Sequence, residues 1–383
     1  MSTTQRPPGG TQPLSGLKVL DFSVQLPGPM TSLFLAEAGA TVVKVERPGT
    51  GDIARLSAAK GENVEFALIN RGKKSIVLDL KSEQGLAAAR RLASQADVLI
   101  EQFRPGVMDR LGLGHEAMLA LNPGLVYCAI TGFGQSGELA QRAGHDLNYM
   151  ALCGLLSISA DASGKPVLPP TQLADIGAGS YPAAINILLA LKQRDATGRG
   201  CFLDIAMTDN IFTWIRRGLA PVFQGKPGFA TGQHPSAGGL ARYNIYASRD
   251  GVHYSVAAVE EAFWQRLCDL VGLPADSRND SADPVRVKTA FAAAFAQRTA
   301  AEWEQRLHGE DVCVERVRSI PEAVATPHFQ QRGVFSAQLA LHDGRSISAL
   351  PVPVDPAFRA ASSAGYPALG ESDEAAADLW RQP

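Results

Sequence analysis

Short β-branched runs alternate with longer helix-compatible stretches through the first half of the chain, and this alternation is the strongest constraint on its fold. The runs GLKVLDFS, TVVKVE, SIVLDL, DVLIEQF, LVYCAITGFG and CFLDIAM are separated by PMTSLFLAEAGA, SEQGLAAARRLASQA, HEAMLALN and GAGSYPAAINILLALKQR. Strand, helix, strand in repetition buries both faces of a sheet only as βαβ units, so the pattern predicts an α/β fold with a parallel sheet covered by helices. Ser82 stands where a hydroxyl can accept from the orphan N–H groups of a helix start.

At 383 residues the chain exceeds the usual single-domain size. Pro221, Pro227, Pro235 and glycines at 218, 225, 228, 232, 238 and 239 interrupt the pattern. The expected division is a disordered lead-in over 1–14, a large Rossmann-like domain over 15–210, a linker over 211–240 and a small α+β domain over 241–334. The segment 335–383 is expected to return to the large domain. Asp250-Gly251 and Asp343-Gly344 are hairpin-turn signals, and helical stretches are expected at about 262–271, 284–297 and 300–308.

Charges nearly cancel at a net of -2, which does not point to nucleic acid. The five cysteines are scattered without CxxC, and the histidines show no HxxxH or HExxH spacing, so neither a disulfide framework nor a metal site is expected. With no apolar leader and no apolar run judged long enough to span a bilayer, the expectation is a cytoplasmic enzyme without membrane association.

The opening strand, turn, helix and strand ending in Glu46 imitate a dinucleotide-binding domain. The phosphate fingerprint fails, because the turn VQLPGPM holds the single Gly28 between two prolines where G-x-G-x-x-G is needed. Arg47, Arg71, Lys73, Lys74, Lys81 and Arg104 lie near strand ends, where cations can hold phosphates or form a solvated rim.

The segment AGHDLNY sets His145 beside Asp146 after Gly144, in otherwise apolar surroundings. Thirty residues on, Asp175 lies among small and apolar residues in LADIGAGS. A histidine and a carboxyl converging from two segments suit proton transfer on carbon, one group serving as base and the other as acid. The alternative is structural: a satisfied core histidine with Asp146 and Asp175 as helix caps.

With those motifs, and with NRGKKSIVLDLK, DVLIEQFRPGVMDRLGLG, ITGFGQSG, TGRGCFLDIAM and PALGES, nearly the whole chain resembles the family III CoA-transferase superfamily, most of all its racemase branch. The resemblance implies an interlaced homodimer acting on an acyl-CoA, with no cofactor because coenzyme A arrives with the substrate. It implies a racemase or epimerase that interconverts (R)- and (S)-2-methylacyl-CoA thioesters through an enolate, with His145 and Asp175 on opposite faces of the α-carbon. It further implies that the Asp146 backbone N–H stabilises the thioester oxygen, that Glu260 is an acid reaching the site from the partner, and that Arg47, Leu78, Asp79, Leu80, Lys81, Arg104, Gly144, Asn148 and Tyr149 bind the CoA ester. The second reading is a CoA transferase with Asp146 as nucleophile forming an acyl anhydride, and SAGGLARYNIY, with its Gly238-Gly239 pair, favours that branch. A CoA-ester binding protein without turnover is the non-catalytic alternative.

Overall fold

The computed structural model describes residues 12–57, 63–161, 163–359, 364–373 and 379–380. The chain divides into two compact units, residues 1–153, 169–214 and 327–383 forming one and residues 154–168 and 215–326 the other.

The first unit is built on six strands, β1 (Lys18–Asp21), β2 (Thr41–Glu46), β3 (Lys74–Val77), β4 (Val98–Glu101), β5 (Val126–Thr131) and β6 (Cys201–Ala206). All pair in parallel, in the order β3-β2-β1-β4-β5-β6. β4 and β5 are buried along their whole length, as expected of strands covered on both faces. The crossovers carry α1 (Pro27–Glu37), α2 (Val64–Asn70), α3 (Glu83–Ala93), α4 (Val107–Arg110), α5 (His115–Leu121), α6 (Asp146–Leu152) and α7 (Tyr181–Thr197), and α8 (Met207–Ile211) follows β6. Ser82 caps α3 as the sequence suggests, its Oγ accepting from the Gly85 N–H at 3.0 Å.

β3 is an edge strand, and the C-terminal segment covers it: Ser372 N–H donates to the Ser75 carbonyl and Val77 N–H to Asp373 Oδ1, both near 2.8–2.9 Å. Leu379 is buried in the core beside α3. In the same unit the strands Gln338–Ala340 and Ser346–Ser348 form a hairpin about Asp343-Gly344.

Three sequence expectations change. Most of the lead-in lies outside the described residues, but its end is tied down, Leu14 N–H donating to the Ala38 carbonyl at 2.9 Å. The stretch expected as a linker contains the end of α8 and a helix, α9 (Arg216–Val222). Pro221 is tolerated because in so short a helix its missing N–H removes one bond. The segment Ala174–Thr197 is long and apolar enough, by length and composition, to cross a membrane. Ala183, Ile187 and Ala190 of α7 pack into the core against the sheet, and small residues are what let a helix sit that closely.

The second unit holds the antiparallel sheet β7 (Tyr243–Ala247), β8 (His253–Ala257) and β9 (Val314–Arg316) with α10 (Glu261–Val271), α11 (Pro284–Phe295) and α12 (Ala300–Leu307). The Asp250 carboxylate closes the β7–β8 turn by accepting from Ser248 Oγ at 2.6 Å and from the Ala300 N–H at 2.9 Å. Its core is aromatic: Trp264 stacks on Phe291 at 5.3 Å and Phe295 on Trp303 at 4.3 Å, with Tyr246 and Tyr254 packed around them.

Candidate active site

In the first unit the strand order reverses direction between β1 and β4, and in sheets of this kind the crevice beyond those strand ends is where ligands bind. A cavity of about 450 Å³ opens there, lined by Val24 and Gln25 after β1, by Gln102 to Pro105 after β4, by Ile130 to Phe133 at the end of β5, and by Arg142 to His145, Asn148, Tyr149, Asp175 and Met207.

The β1–α1 side of this cavity is pinned by buried polar groups. Lys44 and Asp52, both fully buried, form an ion pair at 2.8 Å, and Lys44 Nζ also donates to the Ser23 carbonyl. Gln102 uses both ends of its amide, Nε2 donating to the Val24 carbonyl and Oε1 accepting from the Gly28 N–H. Gly28, the lone glycine of the failed dinucleotide fingerprint, is required for packing: a Cβ there would fall 2.2 Å from the Ser23 Cβ.

The opposite side carries the titratable pair. His145 precedes α6 in an extended conformation, its N–H donating to Asn148 Oδ1 at 3.0 Å, which starts the helix at Asp146. Gly132 and Gly144 lie against the ring of Tyr149, where added Cβ atoms would be 2.4 and 2.7 Å from ring carbons. The Tyr149 hydroxyl donates to the Gly144 carbonyl at 2.5 Å, so the turn bearing His145 is clamped from its own helix.

Asp175 stands at the start of a wide helical turn, Ala174–Ser180, that runs into α7. Asp146 Oδ1 accepts from the backbone N–H groups of both Ala174 (2.6 Å) and Asp175 (3.0 Å), capping that turn. At its other end Ser180 Oγ donates to the Pro27 carbonyl at 2.9 Å, and Gly177 gives room to the Trp214 ring, which a Cβ would meet at 1.8 Å. Burial first, then the neighbouring Asp146 charge, pushes the Asp175 carboxyl up to about 6, with His145 acting in the opposite sense. Burial, with both carboxylates nearby, likewise pushes the Tyr149 phenol up to about 12. The arrangement offers a half-buried carboxyl poised to exchange a proton near neutrality and an accessible imidazole on the same cavity, the requirement for two-base chemistry on carbon.

Of the candidate residues, His145, Asp175, Gly144, Asn148, Tyr149 and Arg104 line this one cavity. Asp146 lies beside it with its carboxylate turned to the 174–175 backbone, so a capping role holds for Asp146 while the histidine is exposed, not a core residue. Arg47 lies outside the lining and donates from Nε to the Gly51 carbonyl. Leu78 and Leu80 pack against the core, Asp79 Oδ1 accepts from the Lys81 N–H, and the Lys81 side chain is exposed. Glu260 belongs to the second unit, exposed at the start of α10.

Three strand-end cations are internal anchors. Arg71 pairs with Glu37 at 2.7 Å, the buried Lys73 donates to Asn70 Oδ1 and the Pro29 carbonyl, and Lys74 donates to the Leu379 carbonyl. Sequence reasoning missed Gln25, Gln102, Phe133 and Arg142. Arg142, three residues before His145, was within reach of a spacing argument; the glutamines were not, because nothing local marks a strand-end loop as a cavity wall.

Comparison with known proteins gives a consistent set. A family model described as CoA-transferase family III matches residues 14–373. The human alpha-methylacyl-CoA racemase is 37% identical over 350 residues, 89% of this chain and 86% of that protein. The succinate–glutarate CoA-transferase of Agrobacterium fabrum is 32% identical, covering 91% of this chain and 90% of its own. Among solved structures, a CAIB/BAIF family protein from Brucella suis superposes with a TM-score of 0.80 at 28% identity, over 97% of this chain and 100% of that one.

Proposed function

The chain belongs to CoA-transferase family III, and from that premise we propose that it racemises 2-methylacyl-CoA thioesters, interconverting the (R) and (S) forms by 1,1-proton transfer through an enolate. The observation that carries this reading is that His145 and an Asp175 of raised pKa line one cavity from separate segments. In one direction the Asp175 carboxylate removes the α-proton, the C–H electrons pass into the enolate, and a protonated His145 returns a proton to the opposite face. The reverse direction exchanges the roles, which needs each group within reach of both protonation states.

Negative charge developing on the thioester oxygen would be met by the Asp146 backbone N–H, which as the first amide of α6 has no intrahelical acceptor. Arg104 and Arg142, exposed and without a carboxylate partner among the described residues, are suited to the phosphates of coenzyme A; Arg47 and the exposed Lys81 would extend that contact, with the backbone of Leu78 to Leu80 bordering the ester. No cofactor is required, since coenzyme A enters with the substrate.

A homodimer completes the proposal. α7 exposes Tyr181, Ile185, Leu188 and Leu189, the last at 62%, along one face, and an apolar helical stripe of this kind marks a surface to be covered. In that dimer Glu260 of the partner subunit would supply a further acid to the site.

A transferase is the second reading, favoured by the 32%-identical Agrobacterium relative. There Asp146 would attack the thioester carbonyl and release CoA thiolate, leaving a mixed anhydride. Against it stands the engagement of Asp146 Oδ1 by two backbone N–H groups, which orients the carboxylate toward the Asp175 turn and lowers its nucleophilicity. Proton NMR of a 2-methylacyl-CoA in deuterated water, with no acceptor acid, tests the choice. Loss of the α-proton signal with the thioester intact is the expected result. An unchanged spectrum, with CoA appearing on an added carboxylic acid, moves the assignment to the transferase.

A further inference from the structure

Gln25 has a backbone φ of 61°, in the left-handed region, and apart from Cys313 it is the one non-glycine residue there among the described residues. Glycine would adopt this conformation without strain, whereas any L side chain resists it. A residue held in such a region persists when its surroundings over-determine it, and such residues gather at ligand sites.

The surroundings of Gln25 do over-determine it. Its N–H donates to Asp52 Oδ1 at 3.0 Å, and the same oxygen accepts from the Ala54 N–H at 2.9 Å. The other oxygen of Asp52 is held by Lys44, whose ammonium also donates to the Ser23 carbonyl, two residues before Gln25. Gln102 closes the loop from the far side through Val24 and Gly28. An ion pair with no solvent exposure is thus set under an exposed side chain on the cavity wall.

The two glutamines of the cavity differ in what they have left to offer. Gln102 has both ends of its amide engaged within the chain. Gln25 lines the cavity with its side chain exposed, and its amide has no hydrogen-bond partner among the described residues, so its N–H groups and its carbonyl are free to engage a ligand. Such a group recognises a hydroxyl, which also both gives and takes a hydrogen bond.

We infer that Gln25 is a specificity-determining residue that selects acyl groups carrying a hydroxyl near the α-carbon over plain hydrocarbon chains, and that Asp52 is the positioning residue that keeps it there. This rests on the acyl-CoA reading of the cavity. The hydroxyl would meet the amide on binding, and the acyl chain would lie along the β1–α1 wall.

The test compares 2-methylbutanoyl-CoA with 3-hydroxy-2-methylbutanoyl-CoA, measuring the dissociation constant of each by calorimetry on the native full chain, on Gln25→Gly and on Asp52→Asn. The native protein is expected to bind the hydroxylated ester more tightly. Gln25→Gly should weaken that ester about tenfold, the effect of one hydrogen bond of ordinary strength, and leave the hydrocarbon ester within about threefold. Its melting midpoint should not fall, because glycine relieves the backbone. Asp52→Asn keeps an acceptor for the Gln25 N–H but loses the charge, and should shift the ratio of the two constants the same way by a smaller factor; a lowered midpoint with an unchanged ratio would overturn its positioning role. Equal weakening of both esters by Gln25→Gly would assign the amide to the shared CoA portion and overturn the acyl selection, as would no change in either. If the native protein binds neither ester nor coenzyme A, the acyl-CoA reading itself fails and this inference falls with it.

Discussion

The two sides of the crevice are made from the same residue types and treat charge in opposite ways. On the β1–α1 side, Lys44, Asp52, Asp21 and Lys73 are fully or nearly fully buried and matched: Lys44 with Asp52 at 2.8 Å, Lys73 with Asp21 at 3.6 Å, and Asp21 further satisfied by the Ser32 hydroxyl at 2.5 Å. On the other side, Asp146 and Asp175 stand close with the His145 imidazole to offset them, and Asp175 answers by holding its proton more tightly. Paired charge confers rigidity, because removing either partner leaves the other stranded in a medium that cannot solvate it. Unbalanced charge confers reactivity at some expense to stability, which is how proton-transfer groups acquire pKa values near their working pH. The crevice thus joins a fixed wall to a titrating one.

The largest test of that contrast is kinetic. His145→Ala and Asp175→Ala should each reduce α-proton exchange by about 10²–10⁴-fold, with opposite preference for the two enantiomers, followed by deuterium incorporation into resolved (R) and (S) esters. Equal loss for both enantiomers in both variants would break the two-base scheme. The melting midpoint of Asp175→Ala should stay near native or rise, since it relieves a poorly compensated carboxylate pair, whereas His145→Ala removes the charge that offsets that pair and should not raise it.

Substitution in the fixed wall should do the reverse. Asp52→Ala leaves Lys44 buried without its counter-ion and should cost about 3–5 kcal/mol, seen as a lower urea midpoint with an unchanged slope. If it unfolds no earlier than Asp175→Ala, the two walls do not differ in the way their charge pairing implies.

The smallest effect is in pH dependence. The Asp175 carboxyl titrates at about 6 in the folded chain and near 3.9 when unfolded. Between those values the folded state keeps a proton that the unfolded state has lost, so native stability from this group is present below about pH 4 and falls away as pH rises through 6. Asp175→Asn should remove a slope worth on the order of 1–2 kcal/mol after solvent screening. Exchange in the direction that uses Asp175 as base should decline below about pH 6, sharpening the assignment of which wall titrates.

Much of this was legible in the chain. Period and length of the apolar runs located every strand of the main sheet, the Asp250-Gly251 and Asp343-Gly344 turns, and α10 to α12, because these depend on local propensity and on burial of contiguous residues. AGHDLNY and LADIGAGS stood out because titratable groups among glycines and apolar residues are locally anomalous. Pro221 and its neighbouring glycines suggested an open linker where α9 forms, since breaking signals say where a helix is weak and not what packing sustains it.

The basic residues divide the two kinds of knowledge most clearly. Arg71, Lys73, Lys74 and Arg104 look alike along the chain; only the tertiary structure decided that three are internal anchors and that Arg104 faces the cavity, because burial and counter-charge come from segments as far away as Leu379. Gln25 is the extreme case, a residue with no motif whose strained backbone exists only because Asp52 and Lys44 are brought beneath it. The sequence by itself determined the α/β frame, the family and the two segments that bear His145 and Asp175, all written in local pattern. Which side chains share a cavity, which charges are neutralised and which carboxyl keeps its proton depend on distances between remote segments and on exclusion of water, and those arise only when the chain is folded.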